Sequence, residues 1–177
     1  KWQDFVEEYA KKYGVTKICG YAPAGETRQH SIYNGLKCID KNAHDTDIVI
    51  VHDAARPLVS NQIISDCIKG AKECDGAMPV ISVKDTVYQS ADGMQIDRLL
   101  KRSELFAGQA PESFDFKKYY KIHNEVSDDE IALTAGSSEI AYRHGMKIRM
   151  VKGSERNLKI TTVEDLETFE TILKGVN

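Results

Sequence analysis

The apolar residues of this chain follow two spacings that alternate from one end to the other. Apolar side chains from Trp2 to Tyr13 recur at helical spacing and precede Gly14, which can end a helix. A near-continuous apolar run at 47–52 is typical of a strand buried on both faces of a parallel sheet. This alternation predicts an α/β, Rossmann-like, three-layer sandwich with a mostly parallel sheet. The other predicted strands are 15–19, 77–83 and 147–151, and the other predicted helices are those capped by Thr27, Ser60 and Thr162 and those at 101–107, 114–124 and 130–144.

A segment in the middle of the chain has a different pattern. Residues 86–89 and 94–98 flank an Asp92-Gly93 pair, which predicts a β-hairpin with a tight turn. Because this segment, taken as 84–101, carries few apolar residues, we expect it to project from the domain as an arm. The open edges of such an arm are usually covered by a second subunit, so the pattern favours a homodimer.

Length and composition describe an ordinary globular chain. No repeat or linker divides the 177 residues, so we expect one domain over 1–177. Lys and Arg total 24 against 27 acidic residues, and this balance argues against nucleic-acid or membrane-surface partners. No apolar run approaches the ~20 residues that span a bilayer. The four cysteines form no C-x-x-C pair, so we expect buried core thiols in a reducing cytoplasm.

The most informative segment is VHDAARP, residues 51–57, at the end of the predicted buried strand. Ligands of open α/β sheets gather at the carboxyl ends of strands. A carboxylate there, Asp53, could hold a hard cation such as Mg²⁺, and Arg56 could grip a phosphate with its planar guanidinium. An Asp–Arg pair that only closes a turn is the alternative that spacing leaves open.

Two other segments could contribute to a site. The Gly-bearing loop at 24–31 precedes a helix and could offer backbone N–H groups to an anion, although a simple capped helix start explains it equally. Lys159 lies just before the final helix, where a positive charge opposes the helix dipole unless an anion is nearby. Neither a G-x-G-x-x-G, a P-loop nor a G-x-S-x-G pattern occurs, so dinucleotide, Walker-type and covalent hydrolase sites lack support.

Several segments together resemble one family of enzymes, the 2-C-methyl-D-erythritol 4-phosphate cytidylyltransferases, with the ribitol-phosphate cytidylyltransferases as close relatives. Their order and spacing agree from about residue 15 to the C-terminus. The resemblance identifies the expected fold as the nucleotidyltransferase sandwich. The matching stretches are GETRQHSIYNGL (25–36), VIVHDAARP (49–57), PVISVKDTV (79–87), KRSELFAGQAPESF (101–114) and NLKITTVEDL (157–166).

The resemblance implies a role for each matching residue. Asp53 would hold Mg²⁺ and approach the substrate, and Arg56 would contact the phosphate of a polyol phosphate. Lys159 and Arg102 would position that phosphate for attack. Thr86 and Arg102, on the arm, would reach the site of the neighbouring subunit in a homodimer. The residues implied near the cytosine and ribose of CTP are Gly25, Glu26, Ser31 and Ala54.

The implied reaction is nucleotidyl transfer. A phosphate oxygen of the acceptor attacks the α-phosphorus of CTP in line, and pyrophosphate leaves. The protein supplies positioning and charge neutralisation, which explains why the candidates are Lys, Arg and Asp without a nucleophile–base pair.

The chain departs from the family pattern in two places. The family opens with a strand and a Gly-rich loop whose basic residues cradle the CTP triphosphate, and this sequence begins at a helix instead. A chain without that loop is expected to bind CTP weakly and not to catalyse transfer. Ala110 stands at a substrate-binding position where the family usually has Thr, and an acidic run near 134–136 is missing.

Three further functions stay open at this point. The acceptor could be ribitol phosphate or another polyol phosphate, because both kinds present a phosphate and hydroxyls. The chain could be a non-catalytic dimeric binding module. A phosphohydrolase with Asp53 as nucleophile is the third, although such enzymes generally need a second acid where Ala55 stands.

Overall fold

The structure is a computed structural model, and it describes residues 2–175, so residues 1, 176 and 177 of the predicted domain lie outside it. Within this range, strands and helices alternate as the sequence predicts. The helices are α1 (Gln3–Lys12), α2 (Arg28–Asp40), α3 (Asn61–Glu73), α4 (Phe116–Glu125), α5 (Asp128–Leu133), α6 (Ser137–Arg143), α7 (Val163–Leu173) and a short 3₁₀ helix (Arg102–Glu104). The strands are β1 (Ile48–Val51), β2 (Gly76–Ser82), β3 (Tyr88–Gln89), β4 (Arg98–Leu99), β5 (Phe106–Gly108), β6 (Glu112–Asp115) and β7 (Ile148–Lys152).

The main sheet is built around β2. On one edge β2 pairs in parallel with β7, with Gly76 opposite Ile148. On its other edge β2 pairs antiparallel with β6 near its start and with β5 near its end. Strand β6 also pairs antiparallel with β1, so it lies between β1 and β2.

The prediction of a mostly parallel sheet is therefore wrong at the level of pairing. Strands β1, β2 and β7 point the same way, as an α/β pattern requires. The insertion of β6 between β1 and β2, and of β5 beside β2, makes most neighbouring pairs antiparallel. The α/β class is confirmed, and the sheet is mixed.

The helix starts follow the predicted caps. The hydroxyl of Thr27 accepts from the backbone N–H of His30 at 3.3 Å, and Ser60 caps α3 in the same way. Thr162 and Asp165 form a reciprocal capping box at the start of α7. Each cap satisfies an N–H group that a helix leaves without an internal partner.

Three predicted elements differ from the structure. Residues 15–19 form no strand, and within the described chain they find no neighbouring strand to pair with. The predicted helix at 101–107 is a single 3₁₀ turn followed by β5. The predicted helix at 130–144 is two helices, α5 and α6, which break at 134–136, where Gly136 takes an extended conformation and caps α6.

The predicted arm is present but has a wider turn than expected. Its strands β3 and β4 pair only over Tyr88–Gln89 and Arg98–Leu99, so eight residues form the connection. Asp92 closes this loop by accepting from the N–H groups of Met94 and Gln95. The side-chain bonds of Asp92 replace the tight two-residue turn.

The main core lies between the sheet and helices α2, α4, α5 and α6. Phe114 and Tyr119 stack at its centre with ring centroids 4.1 Å apart, and both are fully buried. The prediction of core thiols holds for Cys67, where burial raises the pKa of the thiol to about 12. It is wrong for Cys19 and Cys38, which are exposed, and Cys74 is half-buried. The other core side chains are Leu36, Phe116, Ile122, Ile131, Ile140, Ala141 and Met146.

Among the helices that residues 2–175 form, none is long and apolar enough to cross a lipid bilayer.

Candidate functional site

The candidate site is centred on Asp53, two residues beyond the end of β1. Its carboxylate is mostly buried and contacts cationic side chains from three parts of the chain. Arg28 donates to Oδ1 at 2.9 Å, Lys159 Nζ lies 3.2 Å from Oδ2, and Arg56 Nε lies 3.7 Å from Oδ2. Of the four residues predicted to surround one phosphate, Asp53, Arg56 and Lys159 thus lie together in the structure, and Arg102 does not line the same cavities of its own chain.

The charge of Asp53 is set by these neighbours. Burial alone would raise the pKa of this carboxyl group. The hydrogen bonds and positive charges of Arg28 and then Lys159 outweigh burial, so the pKa lies below its ordinary value. Asp53 is therefore an anion at neutral pH, and both of its oxygens are paired with cations.

Arg56 is held from two sides. Its Nη1 donates to the backbone carbonyl of Asn157 at 2.6 Å, while its Nε faces Asp53. The turn from β1 places Arg56 here, since its backbone N–H donates to the carbonyl of Asp53. The guanidinium is mostly buried, so its charge is poorly screened by water.

Lys159 reaches Asp53 from the loop between β7 and α7. The next residue, Ile160, donates its backbone N–H to the carbonyl of Ala55 at 2.8 Å, which joins this loop to the turn after β1. The side chain of Lys159 is 43% exposed, so it can meet a ligand without moving out of a buried site.

Arg28 is the main residue to which sequence reasoning gave no role. It is the first residue of α2, where a positive charge opposes the helix dipole. Its guanidinium instead joins distant elements, because it contacts Asp53, donates to Ser137 Oγ at 2.8 Å and lies 3.7 Å from Glu112. The unfavourable helix position was the available signal, and it is the same signal that pointed to Lys159.

Two cavities meet at this cluster. The larger, of 530 Å³, extends from Asp53 past Arg56 to Ala110 and to the start of α6. The smaller, of 420 Å³, extends the other way, past Ser31 and Ala54. Arg28, Asp53 and Lys159 line both cavities, so they form the wall at which two ligands could meet.

The predicted nucleotide residues gather around the smaller cavity. Ser31 and Ala54 line it directly. The N–H of Gly25 donates to Ser31 Oγ at 2.9 Å, and a side chain at Gly25 would collide with the backbone of Ser31. Glu26 follows on the exposed surface of the same loop.

The predicted substrate residues divide into two groups. Ala110 is buried and lines the larger cavity beside Arg56. Thr86 and Arg102 are exposed and line neither cavity of their own chain; Arg102 donates to the carbonyl of Lys84 at 2.8 Å. The suggestion that they act in a neighbouring subunit remains a prediction.

Metal-binding side chains are sparse in this region. Across residues 2–175, no cluster of three or more His, Cys, Asp or Glu side chains could hold a metal ion. A cation at Asp53 would therefore need most of its ligands from bound molecules and water.

The fold and the site define a class of protein. Cationic side chains at the carboxyl end of a strand, beside two adjoining cavities, are suited to binding phosphorylated ligands in an α/β protein.

Comparisons with known proteins give the family. The model of the 2-C-methyl-D-erythritol 4-phosphate cytidylyltransferase (IspD) family matches residues 12–175, so this chain belongs to that family. Enzymes of this name from Clostridium novyi and Clostridium beijerinckii are 37% and 38% identical to it, over 97% and 96% of this chain and 72% of each relative. A ribitol-5-phosphate cytidylyltransferase from Streptococcus agalactiae is 29% identical over 97% of this chain and 72% of its own length.

Solved structures agree with this assignment. The 4-diphosphocytidyl-2C-methyl-D-erythritol synthase of Anaerococcus prevotii has a TM-score of 0.84 at 25% identity, covering 98% of this chain and 74% of that one. The Francisella tularensis 2-C-methyl-D-erythritol 4-phosphate cytidylyltransferase has a TM-score of 0.75 at 30% identity, covering 83% and 68%.

Proposed function

We propose that this chain supplies the acceptor-binding and cytidine-binding site of a cytidylyltransferase, which joins CTP to 2-C-methyl-D-erythritol 4-phosphate and releases pyrophosphate. The observation that carries the proposal is the convergence of Arg56 and Lys159 on Asp53 at the wall between two cavities. The larger cavity would take the acceptor, and the smaller would take the cytidine end of the nucleotide.

In this proposal the reaction takes place at the shared wall. A phosphate oxygen of the acceptor forms a bond to the α-phosphorus of CTP. The bond from that phosphorus to the bridging oxygen of the β-phosphate breaks, and its electron pair leaves with pyrophosphate. Arg56 and Lys159 would hold the acceptor phosphate in line, so the protein contributes position and positive charge.

The proposal includes a divalent cation. Mg²⁺ commonly binds one or two carboxylates together with substrate phosphates, so a single carboxylate, that of Asp53, fits such a shared site. When bound, the ion would neutralise charge on the transferring phosphate. Asp53 would hold the ion, while Arg56 and Lys159 would hold the acceptor phosphate.

The proposal also includes a homodimer. Exposed apolar side chains on the arm, among them Met94 and Leu99, favour cover by a second copy of the chain. Thr86 and Arg102 would then enter the acceptor cavity of the partner. The unpaired thiols are compatible with a cytoplasmic setting.

Ribitol 5-phosphate is a second candidate acceptor, favoured by the Streptococcus agalactiae relatives of that name. Both acceptors present a phosphate to Arg56 and Lys159, so these two residues cannot separate them. Discrimination would fall to the rest of the cavity, where Ala110 lacks a hydroxyl group to bind the polyol.

Calorimetric titration with acceptors tests the proposal. The chain is expected to bind 2-C-methyl-D-erythritol 4-phosphate more tightly than ribitol 5-phosphate, and methylerythritol without its phosphate far more weakly than either. Tighter binding of ribitol 5-phosphate would reassign the acceptor. Equal binding with and without the phosphate would refute the site itself.

A further inference from the structure

Two buried amide side chains lie at the acceptor cavity, where Gln109 forms part of the lining and Asn157 lies behind it. Asn157 is 0% exposed and Gln109 is 7% exposed. Asn157 lines neither of the two cavities at Asp53, so it is not placed to touch a ligand there. A buried polar side chain costs free energy unless it is hydrogen-bonded, so its contacts indicate what it does.

The two amides tie the loop between β7 and α7 to the segment between β5 and β6. Gln109 donates from Nε2 to the carbonyl of Ser154 at 2.9 Å and accepts from the N–H of Ser154 at 3.2 Å. Asn157 donates from Nδ2 to the carbonyl of Ala110 at 2.8 Å. The approach is close, because a side chain at Gly153 would lie only 2.5 Å from Gln109 Oε1.

The orientation of the Asn157 amide is determined by these contacts. Its Nδ2 faces the carbonyl of Ala110, and the opposite orientation would bring two oxygens together. Its Oδ1 is buried without a partner. An unsatisfied buried acceptor lowers the free energy of unfolding. The hydrogen bond that the Asn157 amide donates, and the place in which it holds the loop, must offset that loss.

The loop held in this way determines the positions of both cationic side chains that are candidates for phosphate binding. The backbone carbonyl of Asn157 accepts from Arg56 Nη1 at 2.6 Å, so the place of that carbonyl fixes the guanidinium. Lys159 lies two residues further along the same loop. Displacement of the loop would therefore move one cation directly and remove the hydrogen-bond acceptor of the other.

We propose that Asn157 is a positioning residue, whose side-chain amide holds the loop so that Arg56 and Lys159 meet the acceptor phosphate together. The proposal deepens the function proposed above and rests on it for the identity of the ligand. A purely structural role would lower stability without a specific loss of phosphate binding.

A double-mutant cycle on acceptor binding separates the two roles. Asn157→Ala is expected to raise the Kd for 2-C-methyl-D-erythritol 4-phosphate about fivefold to tenfold in the wild-type background. With Arg56→Gln already present, the same change is expected to raise the Kd by a smaller factor, about twofold to threefold, because only Lys159 is left to be positioned. Equal effects in both backgrounds, or no effect in a folded Asn157→Ala protein, would overturn the proposal.

His123→Asn is the matched control. His123 is also a buried polar residue, 1% exposed, but its hydrogen bonds are to Gln29 and to the carbonyl of Tyr119 in the core. His123→Asn is expected to lower the melting temperature without changing the Kd for the acceptor. If Asn157→Ala does not fold, Asn157→Ser replaces the amide with a smaller polar group at the same position and carries the same expectation.

A second measurement needs no ligand, so it separates failure of this inference from failure of the proposed function. Arg56 Nε is buried, and its N–H signal in an NMR spectrum should exchange slowly with water. In Asn157→Ala that signal is expected to exchange at least about tenfold faster, since loss of order in the loop frees the guanidinium. An unchanged Arg56 signal would sink the positioning role even if the acceptor binds.

Discussion

The wall of the acceptor cavity and the arm are opposite in character, although both carry residues assigned to the same site. At the wall, the charged side chains are paired: Asp53, which is mostly buried, contacts Arg28, Arg56 and Lys159. On the arm, apolar side chains are exposed, and Met94 reaches 84% exposure. The charges of the wall are paired within one chain, while the arm leaves apolar surface that one chain does not cover.

This difference indicates how the two regions should respond to change. Removal of a positive charge at the wall takes away a group that would bind the acceptor phosphate, so the effect on binding should be large. Removal of an apolar side chain on the arm should leave the fold of one chain unchanged and should act only on association. The predictions below test that division.

The largest effect is expected at Arg56. Arg56→Gln should raise the Kd for 2-C-methyl-D-erythritol 4-phosphate about 30- to 100-fold, the cost of losing a charged hydrogen bond to phosphate. Calorimetry at constant ionic strength measures this change. Arg149→Gln, which breaks a surface ion pair with Glu73, is the control and should leave the Kd unchanged. A loss below threefold at Arg56 would remove it from the site.

The next effect is expected on the arm. Leu99→Asp should weaken self-association at least about tenfold, because a charge would replace an apolar side chain at the proposed dimer contact. Sedimentation velocity measures association, and thermal unfolding should change little because Leu99 is 63% exposed. Leu133→Asp alters another exposed leucine away from the arm and should not affect association. Equal weakening by both variants would contradict a specific role for the arm.

Stability should depend on pH through His123, a buried residue of the core. Burial lowers the pKa of His123, whose Nε2 lies 2.7 Å from the Gln29 amide. The unfolded chain therefore binds the proton of His123 more readily than the folded chain does. The resulting stabilisation of the fold is present above the ordinary histidine pKa, and it is lost as pH falls through the lower, folded value. From this group the free energy of unfolding changes by at most about 1.4 kcal/mol per pH unit. Urea unfolding between pH 7.5 and 5 measures it, and His123→Asn should flatten the profile; an unflattened profile would assign the dependence to other groups.

The smallest effect concerns α7, which follows Lys159 directly. Thr162→Ala should lower the free energy of unfolding by about 1 kcal/mol through loss of the cap. The Kd for the acceptor should stay within about twofold, because Lys159 is positioned by the loop before the helix. Chemical denaturation and calorimetry measure the two quantities. A large rise in Kd would show that the helix start, rather than Asn157, places the lysine.

Much of the fold was predictable because local signals and tertiary structure agree. Thr27, Ser60 and Thr162 are strong helix caps, and the apolar run at 47–52 predicted β1. The predicted burial of that strand on both faces is wrong, because β1 lies at the end of the sheet order and Ile50 is 39% exposed. Strand β6 was missed because Glu112–Asp115 mixes polar and apolar residues over only four positions. Pairing on both edges, with β1 and β2, makes it a strand, and such long-range pairing leaves little trace in a short segment.

The site was predictable where chemistry depends on local sequence. Asp53 and Arg56 lie three residues apart in the turn after β1, and the helix dipole pointed to Lys159. Arg28 and Asn157 were harder, because their importance comes from contacts with residues about 25 and 100 positions away in the sequence. A single sequence does not indicate that a polar side chain such as Asn157 is fully buried.

A crystal structure of the chain with 2-C-methyl-D-erythritol 4-phosphate would test the central claim most directly. The account predicts the acceptor phosphate between Arg56 and Lys159, within hydrogen-bonding distance of both, with the polyol in the cavity that Ala110 lines. A phosphate bound elsewhere, with Arg56 and Lys159 still paired only to Asp53, would contradict it.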